Sequence, residues 1–280
     1  MADSVTRAGT ELSVLVPEVW SRKYYDVLLA DLPFNSIVSR DYEGEIQSLG
    51  DTVKISSFPE FDDAIELAED QRNDASTLTV TQQSLVINKR IAKDFIITNM
   101  AMLQSLPAMD KLRDLAVYSI NKKIQALIIS LIVPNASSPD HTVAYDSGTT
   151  LALADILEIK ELLDNQDVPM SGRHMVVGAA QLNDLFNVTG FTSSDFGASN
   201  SPLINGGLPS QILGFMPHFT SVVGNTSYYF HSSFMTMAAQ QGMNVQQYDL
   251  GVDGKRAIRV NCDTLMGFLQ LDDLRVCTLA

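Results

Sequence analysis

The segment from Phe58 to Asp74 limits what this chain can fold into more than any other. It carries Glu60, Asp62, Asp63, Glu66, Glu69, Asp70 and Asp74 against a single cation, Arg72. A run this acidic has little to bury, so it stands in solvent or lies against a basic partner. On both sides the pattern turns to strand. Gly50-Asp51 turns into Thr52-Val53-Lys54-Ile55, and Leu78, Val80, Leu85, Val86 and Ile87 return as a second strand. Two strands flanking an acidic tip describe a long two-stranded excursion. An isolated hairpin of that kind is marginally stable in water, so this one is expected to rest on another chain.

The remainder has the means to build a core. With 280 residues, 45% hydrophobic and 19% charged, the chain is ordinary globular material that needs neither disulfides nor metals. The net charge of −14 argues against a broad basic face gripping phosphate backbones. It is compatible with a container for DNA, whose inner wall must not trap the polymer. Cys262 and Cys277 form no C-x-x-C pair and read as small buried thiols. Met1 leads into Ala2-Asp3-Ser4-Val5 without a basic run before an apolar one, so no signal peptide is expected. The most apolar stretch, Ile124 to Val133, is too short to span a bilayer. Asn187-Val188-Thr189 fits a glycosylation pattern that carries no weight without secretion.

Along the chain, Val14 to Leu29 reads as a short amphipathic arm with Val19, Trp20, Tyr24, Val27 and Leu28 at helical spacing. Pro33 stops it, and Ile37, Val38, Tyr42 and Ile46 read as strands. Ser105-Leu106-Pro107 opens the longest helix, with Met109, Leu112, Ala116, Ile120, Ile124, Leu127 and Leu131 on one stripe and Pro134 ending it. At 1.5 Å per residue it is about 40 Å long, a strut. Ala136 to Gly148 reads as a polar linker. Thr150 is placed as the cap of a helix running through Leu163, with Leu153, Ile156, Leu157 and Ile159 or Leu162 inward. Then come a buried strand at Met175-Val176-Val177, a helix from Ala179 to Phe186, a long polar loop from Thr189 to Gly207 and a strand at Ile212-Leu213-Gly214-Phe215. Ser232 to Gln240 reads as a helix. Strands Met243 to Tyr248 and Arg256 to Val260 join through Gly251-Val252-Asp253-Gly254, and a last strand covers Gly267 to Val276. This is an α+β chain with mixed sheets.

Catalytic patterns are missing from the sequence: no G-x-S-x-G, H-E-x-x-H, phosphate loop or G-x-G-x-x-G stands in it. His141, His174, His218 and His231 are scattered and read as surface or packing residues. Asp62-Asp63, and Asp249 with Asp253, lack the ligand alternation of a calcium loop. No cofactor or metal is expected.

The order of elements resembles the tailed double-stranded-DNA bacteriophage major capsid protein family, whose fold is shared with encapsulins and the herpesvirus capsid floor. The residues that carry the resemblance are Val16-Pro17-Glu18-Val19-Trp20, Gly50-Asp51-Thr52-Val53 and the long helix from Leu106. They continue with Val168-Pro169, Gly172-Arg173-His174-Met175-Val176-Val177, Ala179 to Phe186, Gly207 to Gly214-Phe215, and Phe234-Met235-Thr236-Met237-Ala238-Ala239-Gln240. The resemblance implies an N-terminal arm over residues 1–29 and an extended loop over 58–86. It implies a peripheral domain over 30–57 and 87–143, built on a spine helix over 106–133. An axial domain would cover 144–243, and C-terminal strands over 244–280 would return to the peripheral domain.

The function implied is a structural shell subunit, not an enzyme, forming hexamers and pentamers in an icosahedral capsid. The partners implied are further copies, a separate scaffolding protein, a portal and, as an option, a decoration protein. Double-stranded DNA would be enclosed without sequence-specific binding, and no membrane is involved. The place would be the virion capsid, assembled in the host cytoplasm. An encapsulin-like nanocompartment, an enzyme with an unrecognised site and another virion protein such as a tail or decoration subunit are the alternative readings. For the acidic loop, Glu66, Glu69 and Asp70 are expected to face Lys89, Arg90, Lys122 or Lys123 of an adjacent copy, with Arg72 and Trp20 as further inter-subunit candidates. Some relatives cross-link through a lysine on the extended loop, and residues 58–86 contain none. The expected shell is therefore non-covalent. Particles boiled in detergent should run as a monomer band, and a ladder of covalent multimers would contradict this.

Overall fold

The computed structural model describes residues 29–45, 51–59, 61, 63–64, 66–67, 77–98, 108–146, 148, 150–187, 211–250 and 257–280. Residues 31–280 form one compact unit and residues 1–30 another. The compact unit is α+β, as the sequence predicts.

Its first sheet is antiparallel and grows from one unusually long strand. β1 (Thr52–Ser57) and β2 (Thr81–Thr98) pair from Thr52↔Val86 to Ser57↔Thr81. β2 then changes partner and runs beside β8 (Ala257–Gln270), from Ile87↔Gly267 to Thr98↔Ala257. β7 (Met235–Asp249) lies on the other side of β8, giving the order β1-β2-β8-β7. Gly267 sits at the change of partner, where a Cβ would lie 2.5 Å from the Val86 carbonyl oxygen, so only glycine fits without a shift of backbone.

α1 (Phe34–Ile37) and the long helix α2 (Ala108–Leu131) cover one face of this sheet. The 24 residues of α2 span roughly 36 Å. Ala116, Ile120, Ile124 and Ile128 are buried at four-residue steps. They pack with Phe34, Ile37, Ile91, Val260, Cys262 and Met266. Each such aliphatic or aromatic side chain contributes about 1.5–3 kcal/mol of burial.

The second sheet is mixed and contains β3 (Thr142–Val143), β4 (Arg173–Val177), β5 (Met216–Phe219), β6 (Ser227–His231) and β9 (Val276–Leu279). Their order across the sheet is β3-β9-β6-β4-β5. α3 (Leu153–Asn165) and α4 (Ala179–Asn187) accompany it. Ile156, Ile159 and Leu163 of α3 and Leu185 of α4 form a second core with Met175, Val177, Tyr229, Cys277 and Leu279. Arg173, 1% exposed, ties the end of α3 to β4: it pairs with Asp164 at 2.7 Å and donates to the carbonyls of Val168 and Pro169. Cys262 and Cys277 are buried free thiols, as read from their spacing.

Several local readings are corrected. The strand expected at Ile37, Val38 and Tyr42 is a helical turn from Phe34 to Ile37 and a 3-10 turn from Glu43 to Glu45. Phe34 and Ile37, three apart, must both face α2, and only a helical turn puts them on one side. Ile46 lies outside the described residues.

The helix expected from Ser232 to Gln240 is a 3-10 turn, Ser232–Phe234, followed by β7. Met, Ala and Gln favour helix in isolation. Here Met235 and Met237 enter the first core while Ala238 enters a small cluster with Leu85 and Ile87, so burial on both faces of a strand overrides propensity. Ile212 to Phe215 is a tight turn in which those two residues exchange backbone hydrogen bonds of 2.8 and 2.8 Å. Leu213 (φ 50°) and Gly214 (φ 93°) are both left-handed, and the strand begins only at Met216.

Gly267 to Val276 is two strands in two sheets. Asp272 breaks them, its carboxylate accepting from the Leu274 amide at 3.0 Å. Ala136 to Gly148 contains β3, which pairs in parallel with β9. Asp155, not Thr150, closes the start of α3, accepting from the amides of Ala152 (2.9 Å) and Asp146 (3.2 Å). Leu157 is 47% exposed, and Leu163 takes the inward place. On α2 the stripe drifts, so that Ile128 and Ile132 are buried while Leu112 and Leu131 are exposed. Strict steps of four hold the middle of the helix against the sheet and leave Leu112 and Leu131 of the predicted stripe outside. The arm from Val14 to Leu28, the helix start at Ser105-Leu106-Pro107, the loop from Thr189 to Gly207 and the turn at Gly251 to Gly254 lie outside the described residues.

Candidate assembly surface

The β1–β2 ladder is fastened at its root and exposed beyond it. Leu85 and Ile87 are buried with Ala238, and Tyr42, Val53, Ile55, Leu265 and Leu269 pack against them. Gln83 donates to the Leu271 carbonyl at 3.1 Å, tying β2 to the turn after β8. An open groove beside this root is lined by Tyr42, Ile55, Ser57, Gln83, Asp272 and Arg275. Arg275 is already engaged, through Asp272 at 2.9 Å and Ser233 at 2.7 Å. Past Ser57 and before Thr81, the described side chains are exposed, with Phe58 at 69% and Phe61 at 72%. Aromatic rings held in water at the end of a ladder mark a surface that another body covers.

The residues singled out in the sequence fall into four groups. Trp20, Glu69, Asp70 and Arg72 lie outside the described residues. Glu66 is exposed on the tip. Lys122 and Lys123 are exposed on α2, with no ion-pair partner among the described residues. Lys89 and Arg90 are exposed on β2, but they are adjacent and so point to opposite faces of the sheet. Ile91, next to Arg90, enters the α2 core, which turns Arg90 to the face away from α2. There its Nε and Nη2 donate to Asp263 of β8 at 3.1 and 2.8 Å. The structure does not gather the four cations into one patch.

Arg90 belongs instead to a polar lattice that sequence reasoning missed. On the same sheet face Arg259 pairs with Asp94, and Asn261 donates to Asp94 at 2.6 Å. These are cross-strand neighbours on β2 and β8, and only the register brings them together: Ala92 faces Asp263 and Asp94 faces Asn261. Among the described residues no group of three or more His, Cys, Asp or Glu is placed to hold a metal, and no described helix is long and apolar enough to cross a membrane.

The histidines are less scattered than the sequence suggests. β4 and β5 run parallel, with Val176 opposite His218. His174 Nδ1 thereby lies 3.1 Å from His218 Nε2, with the His174 ring 6.0 Å from that of Phe230. No short-range motif signals this, because 44 residues separate the pair. One ring must donate and the other accept, so the contact needs at least one neutral imidazole. Burial, and then the nearness of His218 and His231, pushes His174 down to about 4. Burial also lowers His218, against the opposing pull of Asp31, and lowers His231.

A histidine held below its unfolded value adds stability that is complete above about pH 6.5 and is lost as pH falls toward 4. Denaturant midpoints of the unassembled subunit should therefore be flat above pH 7 and fall between 6.5 and 4. His174→Asn should flatten that fall, and an unchanged slope in the variant would contradict the assignment.

These elements make a two-sheet body with a hairpin rooted in it and a strut helix. A family model described as phage capsid protein matches residues 79–264, more than half of the chain. Sequence comparison with curated proteins gives no match. Among solved structures the chain is similar to one from Mycobacterium phage Che8, at 20% identity over 94% of this chain and 96% of that one, with a TM-score of 0.75. It is similar to one from Gordonia phage Cozz, at 10% identity over 100% and 98%, with a TM-score of 0.75. It is also similar to a chain of the bacteriophage PhiM1 mature capsid, at 12% identity over 99% and 96%, with a TM-score of 0.74. At these identities the structures show the shared fold, and the family match carries the membership. The chain belongs to the phage capsid protein family, the structural major capsid proteins of icosahedral bacteriophage shells.

Proposed function

We propose that copies of this chain associate as hexamers and pentamers and close a non-covalent shell around double-stranded DNA, with no catalytic step of their own. The observation that carries this reading is the β1–β2 hairpin, whose root is locked into the body while Phe58, Phe61, Leu78 and Val80 stay exposed beyond it. An element fixed at one end and unburied at the other is suited to lie across a neighbour. The match to a phage capsid family favours a genome container over an encapsulin-like compartment. A separate scaffolding protein, a portal and an optional decoration protein would complete the particle, assembled in the host cytoplasm. In domain terms we assign an arm to residues 1–29 and a peripheral domain to 30–57, 87–143 and 244–280. The extended loop takes 58–86 and the axial domain 144–243.

A chain of net charge −14 repels its copies, so contacts between them need either neutral surfaces or local cations. Glu66, Glu69 and Asp70 of one copy are assigned to Lys122 and Lys123 of the next, which stand together on α2. Lys89, on the α2 side of the sheet, is a further seat. Arg90 is a weaker one because Asp263 already occupies it. Arg72 and Trp20 remain assigned to inter-subunit contacts.

Single exposed pairs are worth about 0–1 kcal/mol, and repetition over a closed shell makes them count. Reversing both charges, Lys122→Glu with Lys123→Glu, should raise the concentration needed for assembly several-fold at low salt and weaken its dependence on salt. Light scattering reads both. Unchanged assembly with an unchanged salt response would remove these lysines from the contact.

A further inference from the structure

β7 forms one border of the first sheet, and its outer border is covered only at the beginning. Ser39 bridges Thr236 and its carbonyl accepts from the Met237 amide at 3.0 Å. Two register shifts follow, between Ala239 and Gln241 and between Gln241 and Asn244. From Asn244 to Asp249 the pairing with β8 is then regular. Along this last stretch no described strand pairs with the outer border. The side chains stay in solvent on both faces, with Met243 at 39%, Val245 at 42% and Tyr248 at 49% exposed.

Natural sheets usually blunt such a border with lysine, proline or a bulge. Here the bulges end before Asn244, and Met235 to Tyr248 contains no charged residue and no proline. In so acidic a chain, a neutral strand of this length is the one kind of border that an identical copy can approach without repulsion. Gln246, Gln247, Asn244 and Tyr248 offer polar groups that match themselves.

The chain cannot cover this border with its own extended segment. Thr77 to Val80 lies beyond Thr81, where β2 pairs with Ser57. The open stretch of β7 lies opposite Ile258 to Asp263, where β2 ends at Thr98. Seventeen steps of strand, roughly 55 Å, separate the two ends.

We infer that the border Asn244–Tyr248 of β7 pairs with the same border of a second copy, antiparallel about a two-fold axis, joining two four-stranded sheets into one. The inference rests on the shell-building reading and adds where two copies meet. An isologous contact of this kind sets residue i against residue j and j against i. One residue must then lie opposite its own counterpart, at a Cα separation of about 4.5–5.5 Å that a disulfide can bridge.

Asn244→Cys, Val245→Cys, Gln246→Cys, Gln247→Cys and Tyr248→Cys, made singly in the full chain, are assembled and mildly oxidised. The wild-type chain is the control, since its two cysteines are buried. Cross-linked dimer on a non-reducing gel should peak at one position and fall away from it. Shells that give no dimer at any position, or equal dimer at all five, would overturn the pairing. So would a contact made instead by the arm or hairpin tip of another copy, which gives no homotypic dimer. If the wild-type chain forms no shell, the shell-building reading fails, and the same oxidation of the soluble chain still reads the pairing by its peak or its absence. As a second variant, Gln246→Lys sets like charges against each other and should raise the assembly concentration several-fold with the circular dichroism unchanged. No change in assembly would also count against the pairing.

Discussion

The change of partner in β2 is the constraint on which the rest depends. One strand of 18 residues pairs with β1 at the root of the hairpin and with β8 in the body. The projecting hairpin is therefore a continuation of the core sheet and not a loop laid on its surface. Gly267 lets the two ladders meet, because any side chain there would run into the Val86 carbonyl. Whatever force a neighbour applies to the hairpin is passed along β2 to the α2 core through Ile91, and to β8 through the shared ladder.

That arrangement divides the molecule by how complete it is. The α2 face of the first sheet and the α3–α4 face of the second are closed by buried aliphatic and aromatic side chains. The hairpin beyond Ser57 and the far border of β7 have exposed apolar side chains and nothing described to cover them. On an acidic chain, the first invites cations and the second a neutral copy. Association through many weak, repeated contacts lets a shell be stable while each contact stays reversible enough to correct errors in assembly.

Much of this was legible in the sequence where local chemistry decides. The runs Thr52 to Ile55 and Leu85 to Ile87 marked the two paired strands, the four-residue stripe through Ala116, Ile120 and Ile124 marked the strut, and Met175 to Val177 marked a buried strand. Legibility failed where a distant partner decides. Met235 to Ala239 has helix-forming residues, but alternate side chains are claimed by two different clusters, and only the fold reveals the second claim. The Arg90–Asp263 and His174–His218 contacts depend on register between strands far apart in the chain. Arg90 looked free for a neighbour for the same reason.

In the proposed shell the hairpin is finished by neighbours and not by its own subunit. Hydrogen exchange measured on unassembled subunits and on shells tests it directly, with Ile120 to Ile128 of α2 as the internal reference. Amides of residues 58–80 should exchange quickly in the subunit and slow at least tenfold in the shell, while the α2 core stays the same. Protection already complete in the unassembled subunit, or none gained in the shell, would mean that neighbours do not finish the hairpin.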